Sequence, residues 1–543
     1  MTDLEHADGF IFGSLSDDAE RAAYVRKRRR GVSHRRARTP RDPRPGETVA
    51  VELTVGPDCS AGDAWVEVDG KRTPLEPAGV EWDTLAWGYV RRFRGELPGG
   101  GAGTVVRYRI GAGEVAADGG ATHAYYVDDD PPPAWARDAI VYQVFVDRFF
   151  STGDWPPRGT GPAERYGGTL AGVTARLDHV AELGANVLWL SPIFPSPSYH
   201  GYDATDLFSI EPRLGTLENF DRLVAEAHGR GIRILLDFVP NHWSRLHPTF
   251  LEASLDRTSA YAGWYSFKRW PDSYESFFGV PDLPRINHAN AEARRHVLEA
   301  ARFWLDRGVD GYRVDYALGP DEDFWADFRA ATRGAWTFGE VVETPETQLG
   351  YEGLLDGCLD FGLLEALRAA FAYGSWDGAR LAAFLDAHEA YFPPGFSRPS
   401  FLDNHDMNRF LWSAGGDVRR LRLAALCQFT LAGPPIVYYG TEVGLSQQGD
   451  VRTARWGGDR HARLPMLWGD DQDADLLDFY RALARLRRAL PDEPRRTLHA
   501  DADMLVYSRG EVVVTLDLAA LSGSVTRDGA PLLTDLVLSP TGP

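Results

Sequence analysis

The segment Gly311-Tyr-Arg-Val-Asp315 decides the fold, because it ends an apolar run on a carboxylate and the chain repeats this arrangement. Three further segments share the pattern in a fixed order along the sequence: Asp237-Phe-Val-Pro-Asn-His242, Phe338-Gly-Glu340 and Phe401-Leu-Asp-Asn-His-Asp406. A short apolar run bounded by turn residues is typical of a strand buried on both faces, and the residue leaving it lies at the carboxyl edge of a parallel sheet. Because converging carboxylates are costly in a purely structural core, this edge is predicted to be catalytic.

The alternation of strand and helix after residue 133 predicts a closed (β/α)8 TIM barrel. The candidate strands are residues 140–146, 186–191, 232–237, 311–315, 336–340, 358–361, 400–402 and 436–439. The segments between them carry apolar residues at helical spacing, so most connections are expected to be helical crossovers and the sheet parallel. Eight such units favour a closed barrel over an open sheet.

Proline-rich and glycine-rich segments divide the chain into four predicted parts. These are an N-terminal helix and linker (1–45), a β-sandwich (46–133), the catalytic barrel (134–490) and a short C-terminal β domain (491–543). Residues 243–288 follow the third barrel strand and are too long and too aromatic for a crossover helix alone, which predicts an inserted lobe. About half of its aromatic residues are expected to form the core of the lobe, and the rest are open to stack on sugar rings.

Composition and charge exclude several classes of protein. The chain has 543 residues, 44% of them hydrophobic, and a net charge of -20, so no nucleic-acid or anionic membrane partner is expected. The first residues show no signal-peptide pattern, and the three cysteines show neither disulfide nor zinc spacing. A cytoplasmic location is therefore expected.

The four segments, in this order, resemble the conserved regions of the α-amylase superfamily, glycoside hydrolase family 13. The resemblance covers residues 134–488 and includes Gly184-Ala-Asn-Val-Leu-Trp-Leu-Ser-Pro192, His200-Gly-Tyr-Asp203, Leu283-Pro-Arg-Ile-Asn287 and Gly433-Pro-Pro-Ile-Val-Tyr-Tyr-Gly-Thr-Glu442. The β domain in front and the modest insert are similar to the cyclomaltodextrinase, neopullulanase and maltogenic amylase branch. That branch prefers short or cyclic maltodextrins, so the resemblance implies an α-glucan oligosaccharide substrate.

Asp315, Glu340 and Asp406 are the candidate catalytic residues. A retaining glycosidase needs a carboxylate nucleophile and a protonated carboxyl about 5 Å away. Strand alternation predicts that Arg313 and Asp315 face the interior together, where the guanidinium favours the ionised, nucleophilic Asp315. Glu340 ends the next strand and is predicted to be the general acid and then the base, with Glu343 as the rival for that role. Asp406 is predicted to hydrogen-bond the sugar hydroxyls beside the reacting carbon.

The resemblance also implies a set of substrate-binding residues. Tyr202 would stack under the sugar in the reacting subsite, which would be lined by Asp237, His242, Arg313, His405 and Arg409. A structural role stays open for each of these residues.

Departures from the family pattern concern the substrate and the metal. Tyr316-Ala-Leu-Gly319 follows the nucleophile where many starch-degrading members carry a Lys-His pair, and Val341 and Val342 follow Glu340 where the branch commonly has Trp. An unusual leaving-side sugar site is therefore expected, rather than long-chain endo-action on starch. Calcium is often structural in the superfamily, but Asp147 and Asp154 make no recognisable ligand loop, so we assign no metal and no cofactor, and a structural calcium stays open.

Three functions stay open from the sequence. The favoured one is hydrolysis of α-1,4 bonds, with α-1,6 bonds left open, in short, cyclic or branched maltodextrins through a covalent intermediate. A transglycosylase would use the same intermediate, and a non-catalytic glucan-binding protein would share the barrel. The presence of all three carboxylates argues against the last. A homodimer through the N-terminal domain also stays open.

Overall fold

Two antiparallel sheets on one apolar core form the front part of the protein. The computed structural model describes residues 18–153, 155, 164–453 and 458–532. The strands of this part are β1 Val32–Ser33, β2 Arg38–Thr39, β3 Val49–Val55, β4 Ala64–Val68, β5 Lys71–Pro74, β6 Glu76–Asp83, β7 Gly88–Leu97, β8 Thr104–Ala112, β9 Val115–Ala116 and β10 His123–Val127. One sheet has the order β1-β3-β7-β6 with β2 beside β3, and the other has the order β10-β8-β4-β5 with β9 beside β8. Alternate residues of β3 point into the shared core, as in a sandwich.

A parallel sheet dominates the middle of the chain. The strands there are β11 Val141–Val144, β12 Val187–Leu190, β13 Arg233–Phe238, β14 Phe267–Arg269, β15 Ser273–Tyr274, β16 Gly311–Val314, β17 Trp336–Gly339, β18 Gly357–Cys358 and β19 Ile436–Tyr438. The parallel sheet has the order β18-β17-β16-β13-β12-β11-β19, whereas β14 and β15 form a separate hairpin. Alternate strand residues such as Trp189, Leu235 and Phe338 fill the interior of the curled sheet.

Residues 397–400 close the sheet between its two edge strands. The N–H of Cys358 donates to the carbonyl of Ser397 (3.1 Å), and the N–H of Ile436 donates to the carbonyl of Ser400 (2.7 Å). Residues 400–402 were expected to be a full strand, but this part of the chain makes isolated bridges. The strand expected at 358–361 also ends early, because the side chain of Asp360 caps the next helix. The (β/α)8 barrel is therefore closed in part by backbone contacts of an irregular segment.

Helices surround this barrel. The α-helices are α1 Asp18–Arg30, α2 Ala134–Arg137, α3 Val146–Phe149, α4 Leu170–Ala175, α5 Leu177–Leu183, α6 Leu217–Gly229, α7 Pro248–Leu255, α8 Ala291–Asp306, α9 Glu322–Ala331, α10 Pro345–Leu349, α11 Phe361–Leu367, α12 Gly378–Tyr391, α13 Phe410–Ser413, α14 Val418–Thr430 and α15 Ala474–Ala489. Their apolar faces pack on the sheet; Trp304 of α8, for example, is fully buried. Within the described ranges, no helix is both long and apolar enough to cross a membrane.

A further antiparallel sheet follows the barrel. Its strands are β20 Arg495–Ala500, β21 Met504–Arg509, β22 Val512–Asp517, β23 Ser522–Arg527 and β24 Ala530–Pro531, paired antiparallel in sequence order. Parts of three predictions lie outside the described residues. They are residues 1–17 of the predicted N-terminal helix and linker, Asp154 of the calcium prediction, and residues 533–543 of the predicted C-terminal β domain.

A buried charge cluster joins the sandwich to the barrel. Glu322 at the start of α9 accepts hydrogen bonds from the guanidinium of Arg38 and from Nδ1 of His123 (2.7 Å). All three side chains are buried. Such a cluster orients the two parts because an unpaired charge at this depth would be very costly.

Candidate active site

The candidate carboxylates lie at the carboxyl edge of neighbouring strands. Asp315 directly follows β16, and Glu340 directly follows β17. The two strands are in parallel register, with Val314 opposite Gly339. Asp237 of β13 lies opposite Arg313 of β16, so their side chains share one face of the sheet. The topology therefore brings the first three sequence segments together.

Arg313 lies at the centre of the cluster and contacts three carboxylates. Its Nη1 is 2.8 Å from Oδ1 of Asp237 and 2.9 Å from Oδ1 of Asp315, and its Nη2 is 2.7 Å from Oε1 of Glu340. The guanidinium is fully buried. The neighbouring Tyr312 points the other way, and its hydroxyl donates to a carbonyl oxygen of α8. One cation thus faces three acids in a site largely shielded from water.

Asp315 and Glu340 hold protons more tightly than ordinary carboxyls. Burial raises the pKa of Asp315 well above its usual range, and the charge of Arg313 opposes this shift. Burial also raises the pKa of Glu340, again against Arg313. A charge on Glu340 further raises the pKa of Asp315, so losing one proton makes the second harder to lose. The pair is therefore suited to hold one carboxylate and one carboxylic acid.

Asp406 lies in a different environment. Nε2 of His405 is 2.9 Å from its Oδ2, and Nη2 of Arg463 is 2.9 Å from its Oδ1. Although burial opposes the shift, these two contacts hold the pKa of Asp406 well below its usual range. Asp406 therefore loses its proton at a lower pH than Asp315 and Glu340 do.

A second network connects Tyr202 to the acids. The Tyr202 hydroxyl donates to Oδ2 of Asp237 (2.9 Å) and lies 2.6 Å from Nε2 of His405. The Tyr202 and His405 rings are stacked, with centroids 5.4 Å apart and planes 5° from parallel. The indole N–H of Trp189 also donates to Asp237 (3.2 Å). Tyr202, Asp237 and His405 therefore form one preorganised wall of the site.

His242 and Arg409 differ in their relation to the cluster. His242 is buried, and burial lowers the pKa of its imidazole to about 3, so it is neutral near pH 7. Its ring stacks on Phe277 with centroids 4.5 Å apart. Arg409, expected to line the sugar subsite, is fully buried and donates to the carbonyls of Tyr439 (2.9 Å) and Ala462 (3.0 Å). The structure therefore places the Arg409 guanidinium against backbone oxygens of the loops behind the site.

An aromatic rim from the inserted lobe borders the nucleophile. The rings of Phe277 and Phe278 lie 4.8 and 5.2 Å from that of Tyr316, and Phe278 is 52% exposed. The N–H of Tyr316 donates to Oε2 of Glu340 (3.1 Å). Other lobe aromatics, including Phe250 and Tyr265, are buried in the core of the lobe. The lobe thus divides its aromatic residues between its own core and the edge of the site.

Three residues of the site were not identified from sequence. The guanidinium of Arg463 donates to Asp406, and the indole N–H of Trp189 donates to Asp237. The Gln143 amide nitrogen lies 2.8 Å from Nδ1 of His405. Trp189 and Gln143 occupy inward positions of predicted strands, so strand alternation could have identified them as candidate site residues. Arg463 belongs to a long connection after β19 that carries no local pattern.

No metal site is apparent in the part of the chain that the structure describes. Within it, no group of three or more His, Cys, Asp or Glu side chains is arranged to hold a metal ion. The carboxylate of Asp147 accepts the N–H groups of Tyr166 (3.0 Å) and Gly167 (3.1 Å), which is a structural use. No step below involves a metal.

Comparisons with known proteins agree on one family. Residues 143–482 match the alpha-amylase family, described as alpha amylase, catalytic domain. Alpha-amylase 2 of Dictyoglomus thermophilum is 43% identical over 371 residues, which cover 67% of this chain and 66% of that protein. Neopullulanase 2 of Thermoactinomyces vulgaris is 35% identical over 405 residues, which cover 69% of this chain and 67% of that protein. The solved cyclic alpha-maltosyl-(1→6)-maltose hydrolase of Arthrobacter globiformis, in complex with maltose, is 35% identical with a TM-score of 0.66, over 71% of this chain and 92% of that chain.

Proposed function

Because this chain belongs to the alpha-amylase family of glycoside hydrolases, we propose that it hydrolyses α-1,4 bonds, and also α-1,6 bonds, in short, cyclic or branched maltodextrins. The names of its relatives include a neopullulanase and a hydrolase of a cyclic maltosyl-maltose, which supports this substrate class. The observation that carries the proposal is the buried Arg313, which contacts Asp237, Asp315 and Glu340 at the ends of neighbouring strands.

The first half of the reaction uses the two coupled carboxyls. A carboxylate oxygen of Asp315 attacks the anomeric carbon while the bond from that carbon to the leaving oxygen breaks. Glu340 gives its proton to the leaving oxygen, which departs as a sugar hydroxyl. Burial raises the pKa of Glu340, which favours the protonated form that can donate to the leaving oxygen. The product is a covalent glycosyl-enzyme ester.

The second half releases the sugar. Glu340, now a carboxylate, takes a proton from water as the water oxygen attacks the anomeric carbon. The bond to Asp315 breaks, and Asp315 returns as a carboxylate beside Arg313. The sugar leaves with the configuration it had in the substrate, and the sequence of steps needs only protein side chains and water.

Asp406 and the Tyr202 wall bind the sugar in this mechanism. Asp406 is ionised and accepts hydrogen bonds from sugar hydroxyls, contacts that strengthen as the ring flattens toward an oxocarbenium ion. Tyr202 presents its ring while its hydroxyl is held by Asp237. His405 contacts both Tyr202 and Asp406 and so fixes the position of one group relative to the other.

Transglycosylation is the second candidate function. The Phe277, Phe278 and Tyr316 rim lies beside Glu340, on the side where a leaving sugar departs or an acceptor sugar arrives. An acceptor hydroxyl held there by stacking would compete with water for the glycosyl-enzyme.

We also propose that the protein works in the cytoplasm as a homodimer that associates through residues 46–133, where two sheets form a separate core. Sedimentation of the full chain tests the dimer, because a particle mass of one subunit would contradict it. Fractionation of producing cells decides the location.

A product time course on cyclodextrins, maltotriose, pullulan and soluble starch, with anomers followed by NMR, tests the activity. We expect short α-configured products, and longer rearranged oligosaccharides would instead favour the transferase. Asp315→Asn should abolish turnover, and Glu340→Gln should lower kcat by about 10²- to 10⁴-fold, while both variants keep the native circular dichroism spectrum. Glu343→Gln is the matched control and should stay near wild type. Full activity of Asp315→Asn or of Glu340→Gln would contradict the role proposed for that residue.

A further inference from the structure

Tyr316, the residue that follows the proposed nucleophile, has a strained backbone. Its φ is +40°, a left-handed conformation that is a genuine outlier for so bulky a residue. Strain of this kind persists where the surrounding structure imposes it, and it is concentrated at functional sites. The contacts of the Tyr316 main chain therefore indicate what the conformation serves.

The main chain of this turn contacts Glu340 at two points. The N–H of Tyr316 donates to Oε2 of the Glu340 carboxyl (3.1 Å), and the N–H of Ala317 donates to the Glu340 carbonyl oxygen (3.1 Å). The other carboxyl oxygen, Oε1, lies 2.7 Å from Nη2 of the buried Arg313. A guanidinium and a main-chain N–H thus face the two oxygens of one carboxyl. Its orientation is therefore fixed before a sugar binds.

Separate parts of the protein hold the turn in place. The carbonyl oxygen of Ala317 accepts hydrogen bonds from the buried side chains of Trp325 (3.1 Å) and Tyr351 (2.7 Å). At the end of the turn, Arg285 of the inserted lobe donates to the carbonyl oxygen of Gly319 (2.7 Å). These restraints act on the main chain of the turn and do not use the Tyr316 ring.

A main-chain N–H beside Glu340 favours the carboxylate form of this residue. When the proton passes to the leaving oxygen, Glu340 keeps the electron pair of its O–H bond, so negative charge develops on the carboxyl. A donor that is already in place stabilises this charge without reorganisation. Burial raises the pKa of Glu340, and the Tyr316 N–H opposes that rise. This balance suits a group that acts first as an acid and then as a base.

Other charged groups face Glu340 from neighbouring elements. They are Arg313 and Asp315 from β16 and the turn after it, and His405 and Asp406 from the segment before α13. Around the Tyr316 ring, Arg285 and Glu343 add one charge of each sign. A substitution at Tyr316 leaves all of these side chains in the protein. It therefore changes the main-chain donor without removing a charged partner of Glu340.

We propose that Tyr316 is a positioning residue for Glu340, because its left-handed main chain aims one N–H at the carboxyl and stabilises the carboxylate that proton transfer leaves behind. Glu340 is the general acid in the proposed function, on which this inference rests. The role belongs to the backbone of the turn, whereas the Tyr316 ring belongs to the rim with Phe277 and Phe278.

Two substitutions at Tyr316 separate the main chain from the ring. Tyr316→Val introduces a β-branched side chain that disfavours positive φ, so the N–H should turn away from Glu340. We expect kcat on maltotriose to fall about 10- to 100-fold. The basic limb of the kcat/KM profile should move to higher pH, because the pKa of Glu340 rises when the donor is lost. Tyr316→Gly also lacks the ring but adopts positive φ at no steric cost, so its basic limb should stay at the parent position.

A leaving group that needs no proton gives a second measurement. Fluoride leaves α-maltosyl fluoride with little acid assistance, so Tyr316→Val should lose much less activity on this substrate than on maltotriose. A merely structural role would lower both rates together. Leu521→Val is the matched control, because Leu521 in the turn between β22 and β23 also has a positive φ (+52°). This variant should keep the parent limb.

The titration of Glu340 can also be followed without a substrate. NMR of isotope-labelled glutamate carboxyls gives its signal, which is identified by its loss in Glu340→Gln. A signal that titrates at higher pH in Tyr316→Val supports the role of the Tyr316 N–H. If the parent chain cleaves no α-glucan, the same result rejects only the proposed function.

An unmoved Glu340 titration in Tyr316→Val overturns the inference, whether or not α-glucans are cleaved. An equal movement of the basic limb in Tyr316→Val and Tyr316→Gly also overturns it, because the ring and not the backbone would then be responsible. Each variant is checked for the native circular dichroism spectrum. Tyr316→Ala, which also disfavours positive φ but is smaller, takes the place of Tyr316→Val if the latter does not fold.

Discussion

At the scale of single residues, environment rather than residue type separates the three acids. Asp315 and Glu340 share the buried Arg313, and each holds its proton more tightly than an ordinary carboxyl because burial raises its pKa. Asp406 is held by His405 and Arg463, which keep its pKa low. In the proposed mechanism, these environments let three similar side chains serve as proton donor, nucleophile and sugar-binding anion.

Replacing Arg463 by Met tests this assignment. The substitution removes a cation 2.9 Å from Asp406, so the pKa of Asp406 should rise toward its usual range. Asp406 would then be protonated at a higher pH, and the acid limb of the kcat/KM profile should move to higher pH. A charge-assisted contact of this kind corresponds to about 10- to 100-fold in kcat/KM. Arg460→Met, three residues away, is the control, and an unshifted acid limb in Arg463→Met would contradict the role.

At the scale of elements, barrel closure depends on one close backbone approach. A Cβ added to Gly357 of β18 would lie 1.8 Å from the carbonyl oxygen of Ser397. Gly357→Ala should therefore push residues 397–400 away from β18 and lower the free energy of unfolding by about 1–3 kcal/mol in denaturant titrations. Gly395→Ala, where a Cβ would meet nothing within 4 Å, is the control. Equal stability of the two variants would show that this contact does not restrain the barrel.

Some elements of the barrel were predictable from local sequence pattern, and others were not. β13, β16 and β17 are apolar runs that end in carboxylates, so their positions and buried faces followed from local pattern. Residues 397–400 carry no such run, since their pairing depends on edge strands that are distant in sequence. The strand at 358–361 was predicted too long because Asp360 prefers to cap α11.

At the scale of the whole molecule, buried histidines couple stability to pH. Burial is the chief cause that lowers the pKa of His34 from 6.5 to about 4, and its ring lies 4.6 Å from that of His123 in the cluster with Glu322. The unfolded chain therefore binds a proton between pH 6.5 and 4 that the folded protein does not. Stability must fall as the pH is lowered through this window.

Thermal unfolding as a function of pH checks this coupling. Tm should fall steadily between pH 6.5 and 4, and His34→Gln should flatten part of that fall because it removes one such group. His499→Gln, which replaces an exposed histidine of the C-terminal sheet, should keep the parent slope. A Tm that stays level down to pH 5 would show that the buried histidines do not control the acid response.

The sequence by itself determined the barrel and the placement of Asp315 and Glu340 at one sheet edge, because strand alternation and chain order are local properties. Only the tertiary structure decided the pKa of each acid. The pKa of Asp406 depends on Arg463, which is 57 residues away in sequence. The buried surroundings of Arg409 likewise depend on loops that are distant in sequence. Burial and long-range pairing set the electrostatics, and no local pattern encodes them.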